Sequence, residues 1–317
     1  MPHATKSNNP FTSSPHHLIT PSPCRPIALS PGGLTTTLTL MPDEISFTIA
    51  DQIATLTVNR PEARNALNWA AQEQFAACVT AVSQNPSIRL LIITGAGQQA
   101  FVAGGDLKEL SGHPEPEAGV RLNQIMRRAL QQLTELPIPV IAAVNGDAFG
   151  GGCEILTACD LRIAAGHARF SFAQVKNALA TGWGGTARLV RLLGQSRALE
   201  LLLTARLLTA VEAQQIGLVH RVVNTGADWN TAVNAWAREL CQLPGPTLAA
   251  LKQLTYAAAH LPLAETNRLE TELFVHLWSH PDHLEAMAAF VEKRKPLFNR
   301  ITDYQTNTNL TDETNYG

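Results

Sequence analysis

In the run Gly150-Gly151-Gly152-Cys153-Glu154, a carboxylate lies within one helical turn of three consecutive glycines. Glycine has no Cβ, so its backbone N–H can come close to a ligand. The first turn of a helix adds N–H donors without intrahelical acceptors and a partial positive charge. Donors of that kind suit a developing anion, and Glu154 beside them could carry a proton. A second stretch has the same design: Gly104 and Gly105 precede Asp106, which favours the first turn of a short helical pattern at Leu107. Two glycine corners that each aim one N–H at the same oxygen make a two-donor oxyanion hole. Glycines also punctuate strand ends with no further role. The acidic residue just inside each corner argues for more than punctuation.

Each corner needs an element to deliver it. Leu90 to Thr94 and Val140 to Val144 are short apolar runs rich in β-branched residues, and they read as buried strands. Ile45–Ile49 and Ile53–Val58 read as a hairpin around Asp51 and Gln52, and Leu161–Ala164 as a further strand. Helical patterns run from Trp69 to Val82 and along the face Leu122, Ile125, Met126, Ala129 and Leu133, with a Pro- and Gly-rich loop around residues 112–119 before the latter. From Gln195 the chain is mostly helical, through SRALELLLTARLL, AVEAQQIG, Asn230 to Cys241 and a long pattern from Pro262 that Pro281 must break. Recurring strand–turn–helix units predict an α/β fold with parallel pairing.

Composition narrows the function classes. A net charge of −2 offers no polyanion-binding surface, so no nucleic-acid partner is expected. No apolar run is long enough to span a bilayer. Charged residues make up 16% of the chain, against about 25% in typical domains, which points to surface hidden in subunit contacts. Five cysteines form no C-x-x-C pair and no ligand spacing with histidine, which fits a reducing, cytoplasmic setting and predicts no metal site. Cys153, with no histidine nearby to activate it, reads as a core thiol. Asp147 reads as a loop aspartate holding turn N–H groups, Asp160 as a helix end, and His113 as an exposed loop residue.

The ordered set RPEARNAL from Arg60, FVAGGDLKEL from Phe101, AAVNGDAFGGGCE from Ala142, ACDLRIA from Ala158, GWGGTARLVRLLG from Gly182 and FVEKRKPLF from Phe290 resembles the crotonase (enoyl-CoA hydratase/isomerase) superfamily over residues 44–298. The resemblance implies a spiral core of repeated ββα turns with a helical C-terminal trimerisation region. It implies an acyl-CoA substrate, with coenzyme A part of the substrate and no separate cofactor. It implies a homotrimer or a dimer of trimers. It divides the chain into a core over 41–245 and a helical region over 246–298, between a disordered leader over 1–40 and a polar tail over 299–317.

By the same resemblance Gly105 and Gly151 match the two oxyanion donors, and Glu154 matches the first of two catalytic glutamates. The second matches Gln174, twenty residues on, and no carboxylate lies between Gly166 and Gly185. An amide can orient a water but cannot exchange a proton at neutral pH. Ala63 and Ala66 are implied to lend backbone contacts to the coenzyme A channel. Ala103 and Asp106 are implied to flank the substrate at the first corner, and Lys293 to approach a phosphate, in this subunit or a neighbouring one. Trp183 in GWGG is similar to the acyl-CoA decarboxylase branch and reads either as a wall of the acyl pocket or as packing.

Two alternatives stand beside an enolate-forming enzyme with Glu154 as its one acid/base. One is an alkylmalonyl-CoA-type decarboxylase, and the other is a non-catalytic acyl-CoA-binding protein. Residues 1–40 are rich in Pro, Ser, Thr and Asn, and cannot bury a core. They read as disorder or as the result of a mis-set start before Met41, and an organellar import signal is the weaker reading. A chain starting at Met41 is expected to keep the melting temperature of the full chain in a thermal melt. A large drop would mean that the leader packs on the domain.

Overall fold

The computed structural model describes residues 44–224 and 228–298. The expectations for residues 1–40 and 299–317 fall outside the described residues. Strands β1 (Ile45–Ala50) and β2 (Ile53–Val58) form the expected antiparallel hairpin. Asp51 and Gln52 both take left-handed backbone (φ 51° and 64°), the geometry of a tight two-residue hairpin turn. Helix α1 (Trp69–Gln84) starts where the Asn68 side chain caps the Ala71 N–H, and it buries Phe75, Val79 and Val82.

After α1 the chain repeats one unit three times. Strand β3 (Leu90–Gly95) leads to the short strand β4 (Ala100–Val102), then to α2 (Leu107–Leu110) and α3 (Pro116–Glu135). Next β5 (Val140–Val144) leads to β6 (Asp147–Phe149) and α4 (Gly151–Ala158). Then β7 (Leu161–Ala165) leads to β8 (Arg169–Ser171), α5 (Gly185–Leu193) and α6 (Gln195–Thr204). Strands β9 (Leu208–Thr209) and β10 (Arg221–Val223) follow, with α7 (Ala210–Gln215) between them, and α8 (Trp229–Cys241) after.

The first strand of each unit joins a six-stranded sheet, in the order β1-β2-β3-β5-β7-β10, and the second joins a four-stranded sheet, in the order β4-β6-β8-β9. Each turn of chain therefore advances one place in both sheets. Pairings β3–β5, β5–β7, β4–β6 and β6–β8 are all parallel, so the repeated ββα architecture is present as expected. Strand β5 is buried along its whole length, which is why it reads as an unbroken apolar run.

Some expectations shift. The loop expected over 112–119 is shorter, because α3 begins at Pro116, a residue well suited to the first helical position. The pattern SRALELLLTARLL stops at Thr204, where Ala205 turns left-handed, and Leu208 enters β9 instead. Asp147 is not a loop residue; it lies in β6 and ion-pairs with Arg64 and Arg169.

The C-terminal helices are α9 (Gly245–His260), α10 (Leu263–Trp278) and α11 (Pro281–Glu292), with the break at Pro281 as expected. Lys252 ties α9 to the core through Asp160 (2.8 Å) and the Ile138 carbonyl (3.0 Å). Helix α10 buries no residue, and Leu263, Phe274, Val275 and Trp278 stand exposed on it.

The start of α4 is pressed onto the end of β4. A Cβ on Gly152 would meet the Val102 carbonyl oxygen at 1.9 Å. Backbone cannot swing aside as a side-chain tip can, so Gly152→Ala is expected to cost about 3 kcal/mol of stability in chemical denaturation, the upper end for an overpacked core. A loss under about 1 kcal/mol would mean that this contact yields easily.

Candidate active site

The second strands of the three repeats end side by side, and each hands the chain to one part of the site. After β4 come Ala103, Gly104 and Gly105; after β6 come Gly150, Gly151 and, one turn into α4, Glu154; after β8 comes a single 3-10 turn holding Gln174. Carboxyl ends of adjacent parallel strands are where α/β folds gather ligand-binding groups.

The two glycine corners touch. Gly104 has φ +98°, and a Cβ there would lie 3.1 Å from the Gly151 nitrogen. Gly150 has φ +51° and donates its N–H to the Ser171 carbonyl at the end of β8 (2.9 Å). Both positions need backbone that L-residues avoid. Leu67 bridges to Gly105 by accepting from the Asp106 N–H and donating to the Gly104 carbonyl, a pattern that leaves the Gly105 N–H out of the ladder. Gly151 opens α4, where an N–H has no intrahelical acceptor. The two donors expected for an oxyanion thus sit on touching corners, outside the secondary-structure hydrogen bonding.

Glu154 is 2% exposed, yet its carboxylate is fully served. Oε1 accepts from Gln174 Nε2 (2.9 Å) and the Gly182 N–H (3.2 Å), and Oε2 accepts from the Trp183 and Gly185 N–H groups (both 2.8 Å). A carboxylate has about four acceptor positions, and all four are taken. Three of the donors come from the turn that starts α5, so the charge also sits at a helix N-terminus. Gly185 is required there, since a Cβ would lie 2.5 Å from Glu154 Cγ.

Arg188 grips the same turn from α5. Its Nη2 donates to the Trp183 carbonyl (2.7 Å), and burial pulls its guanidinium below the usual value, with Glu154 acting in the opposite direction. The Asn123 side chain holds the Gly182 carbonyl.

Trp183 does not stand free. It is 3% exposed, with its ring packed against Gly151. Asp106 caps α2 through Lys108 N and ion-pairs with Arg60 (2.8 Å). Ala63 and Ala66 turn back on each other, Ala66 N–H to Ala63 carbonyl at 3.1 Å, and the Ala66 carbonyl also accepts from Arg60. Lys293 is exposed and left-handed at the end of α11, and no described contact links it to Glu154 and its neighbours. The Cys153 thiol donates to the Ala148 carbonyl (3.0 Å), and burial pushes it far up, as befits a core thiol. His113 is exposed beside Glu115, as expected.

Two buried asparagines make contacts that their sequence context did not reveal. Asn145 donates to the Gly95 and Gly97 carbonyls and accepts from the Gly95 N–H (3.1 Å), while Asn65 donates to the Ala96 and Ala100 carbonyls. Together they fasten the loop that feeds β4. Nothing in their own sequence context distinguishes them from ordinary turn residues.

Burial would raise the Asp106 carboxyl, but Arg60 and the backbone N–H groups at the start of α2 hold it below its ordinary value of 3.8. Its stabilising contribution is therefore complete above that value and is lost as pH falls from there through the lower folded-state value. Asp106→Asn is expected to lower Tm at neutral pH and to flatten the acid limb below about pH 4. An unaltered acid limb would mean that the pair contributes nothing.

A family model described as enoyl-CoA hydratase/isomerase matches residues 48–301. The chain is 38% identical over 247 residues to the short-chain-enoyl-CoA hydratase of Clostridium acetobutylicum, covering 77% of this chain and 93% of that protein. It is also 38% identical over 258 residues to the crotonyl-CoA hydratase of Syntrophomonas wolfei, covering 78% and 95%. Among solved structures, an enoyl-CoA hydratase from Bacillus anthracis superposes with a TM-score of 0.77 at 33% identity, covering 81% of this chain and 99% of that one. With a family model spanning most of its length and relatives covered nearly end to end, the chain belongs to the enoyl-CoA hydratase/isomerase family.

Proposed function

We propose that this protein acts on an acyl-CoA thioester through an enolate, with the Gly105 and Gly151 N–H groups on the thioester oxygen and Glu154 as the only proton carrier. The observation that carries this reading is the Glu154–Gln174 pair. An amide stands at 2.9 Å from the glutamate, where a two-acid site would have a second carboxylate.

The four bonds to Glu154 are not equivalent. Oε2 is held by two short backbone bonds, whereas Oε1 is held by a longer one and by a side-chain amide in place of a backbone group. Oε1 is therefore the working oxygen. In hydration, water adds to Cβ of the enoyl thioester as Oε1 takes its proton. The electron pair of the double bond moves to the thioester oxygen, held by the two glycines. The same proton then passes from Oε1 to Cα and the enolate collapses to the 3-hydroxyacyl thioester. Atoms and charge balance without a redox partner.

Gln174 bears on the choice between hydration and decarboxylation. Glu154 only accepts, so Nε2 must face it, and the other amide atom, Oε1, is buried without a partner. Gln174 Oε1 thus offers an acceptor to a water or a hydroxyl. A malonyl-type carboxylate brought against it would meet an acceptor without a donor, which argues against the decarboxylase reading. We also propose self-assembly through α10 and α11, whose exposed apolar residues include Trp278, Phe290 and Val291.

Gln174→Glu supplies the second acid. Crotonyl-CoA hydration, followed by loss of enoyl absorbance, is expected to rise by about tenfold or more, within the range for one acid/base group. A native protein that already hydrates rapidly and gains nothing from the substitution would contradict the one-carboxylate reading. A native protein that binds acyl-CoA but turns over no enoyl- or alkylmalonyl-CoA would point to the non-catalytic alternative.

A further inference from the structure

We infer that Trp183 is the positioning residue for the second oxyanion donor, with its indole fixing the orientation of the Gly151 peptide. This rests on the proposed role of the Gly151 N–H. A Cβ built on Gly151 would lie 2.2, 2.5 and 2.8 Å from Cζ3, Cη2 and Cε3 of Trp183, so the six-membered ring stands in the place of a side chain. Gly151 is not among the residues with positive φ, so alanine would suit its backbone. What forbids alanine is the ring.

The buttress is needed because of what surrounds it. Gly150, Gly151 and Gly152 bring no side chains of their own; Gly150 is tied to the Ser171 carbonyl and Gly152 is pressed onto β4, which leaves the Gly151 peptide between them for the indole to fix. A Cβ on Gly150 would meet nothing within 4 Å, so that side of the corner is open. The indole closes the other side. Trp183 is itself held at its backbone: its main-chain N–H is on Glu154 Oε2 (2.8 Å), its carbonyl accepts from Arg188 Nη2 (2.7 Å), and Gly184, at φ +84°, completes the turn after it. One residue thereby ties the carboxylate to the oxyanion donor, through its backbone on one side and its ring on the other. Donors must be held in place before charge develops if they are to stabilise it, and a small misplacement is expensive. Trp183 therefore acts through Gly151.

The test compares Trp183→Phe, Gly151→Ala and the double variant, with Trp183→Leu made in parallel in case the phenylalanine protein does not fold. Two readouts are used: steady-state hydration of crotonyl-CoA, and the enolate absorbance of bound acetoacetyl-CoA, which reports on the oxyanion donors without turnover. Trp183→Phe or Trp183→Leu is expected to lower kcat about tenfold with KM changed by less than about threefold, and to weaken the enolate signal. Gly151→Ala alone is expected to be worse than either. Adding Gly151→Ala to Trp183→Phe should recover part of both readouts, since the methyl enters the space the indole leaves. A Trp183 variant with lower Tm but unchanged kcat and enolate signal would reduce the residue to packing and overturn the inference. Loss of activity in Trp183→Phe that Gly151→Ala deepens would overturn it as well. A native protein that neither hydrates crotonyl-CoA nor perturbs the acetoacetyl-CoA spectrum would overturn the oxyanion reading of Gly151 along with it.

Discussion

The buried charge of Glu154 organises this end of the molecule. Taking a carboxylate out of water costs several kcal/mol unless it is compensated. Among the described residues no cation meets this one directly; Arg188 reaches only the backbone carbonyl of Glu154, at 3.4 Å. Compensation comes instead from N–H groups, three of them from the Gly182–Gly185 turn. That choice fixes much of the local sequence. The turn needs glycine at 185 to let the carboxylate in, positive φ at 184, and a helix directly after it to add its dipole. It also leaves one oxygen on two short backbone bonds and the other beside a longer one and a side-chain amide, and this asymmetry underlies the proposed role of Oε1.

The second constraint is the parallel register of the small sheet. Strands β4, β6 and β8 are only three residues each, yet the pairings Ala148↔Phe170 and Val102↔Ala148 bring their ends level. A residue just past each end therefore meets its counterparts from the neighbouring repeats. Gly105, Gly151 and Gln174 are far apart in sequence and close in space for this one reason. Asn65 and Asn145 secure the approach to β4, and Arg60 holds the exit through Asp106, so the first corner is fixed on both sides.

The sequence was most legible where a residue type has only one physical use. Glycine runs after apolar strands marked both corners, and the apolar patterns of α1, α3, β3 and β5 marked elements whose burial matches them. The small sheet was not legible, because three residues carry no period. Asn145 and Asn65 were hidden too, since an asparagine filling backbone acceptors across 50 and 35 residues looks like any turn asparagine. Trp183 could be read two ways, and neither reading showed that its ring lies against Gly151. Gln174 was reached through family resemblance, and its contact with Glu154 agrees with the twenty-residue spacing that suggested it.

The most direct test of the account is Glu154→Gln, assayed for turnover and for acyl-CoA binding on whichever thioester the native protein converts best. The new amide can keep the two bonds at the Oε2 position by turning its NH2 group toward Gln174, whose own amide then reverses to accept, and only the longer bond from the Gly182 N–H is given up; the fold and ligand binding should therefore persist. With no carboxylate left beside the enolate, turnover is predicted to fall by about a hundredfold or more while binding changes by only a few-fold. Turnover that survives the substitution would contradict the claim that Glu154 is the proton carrier.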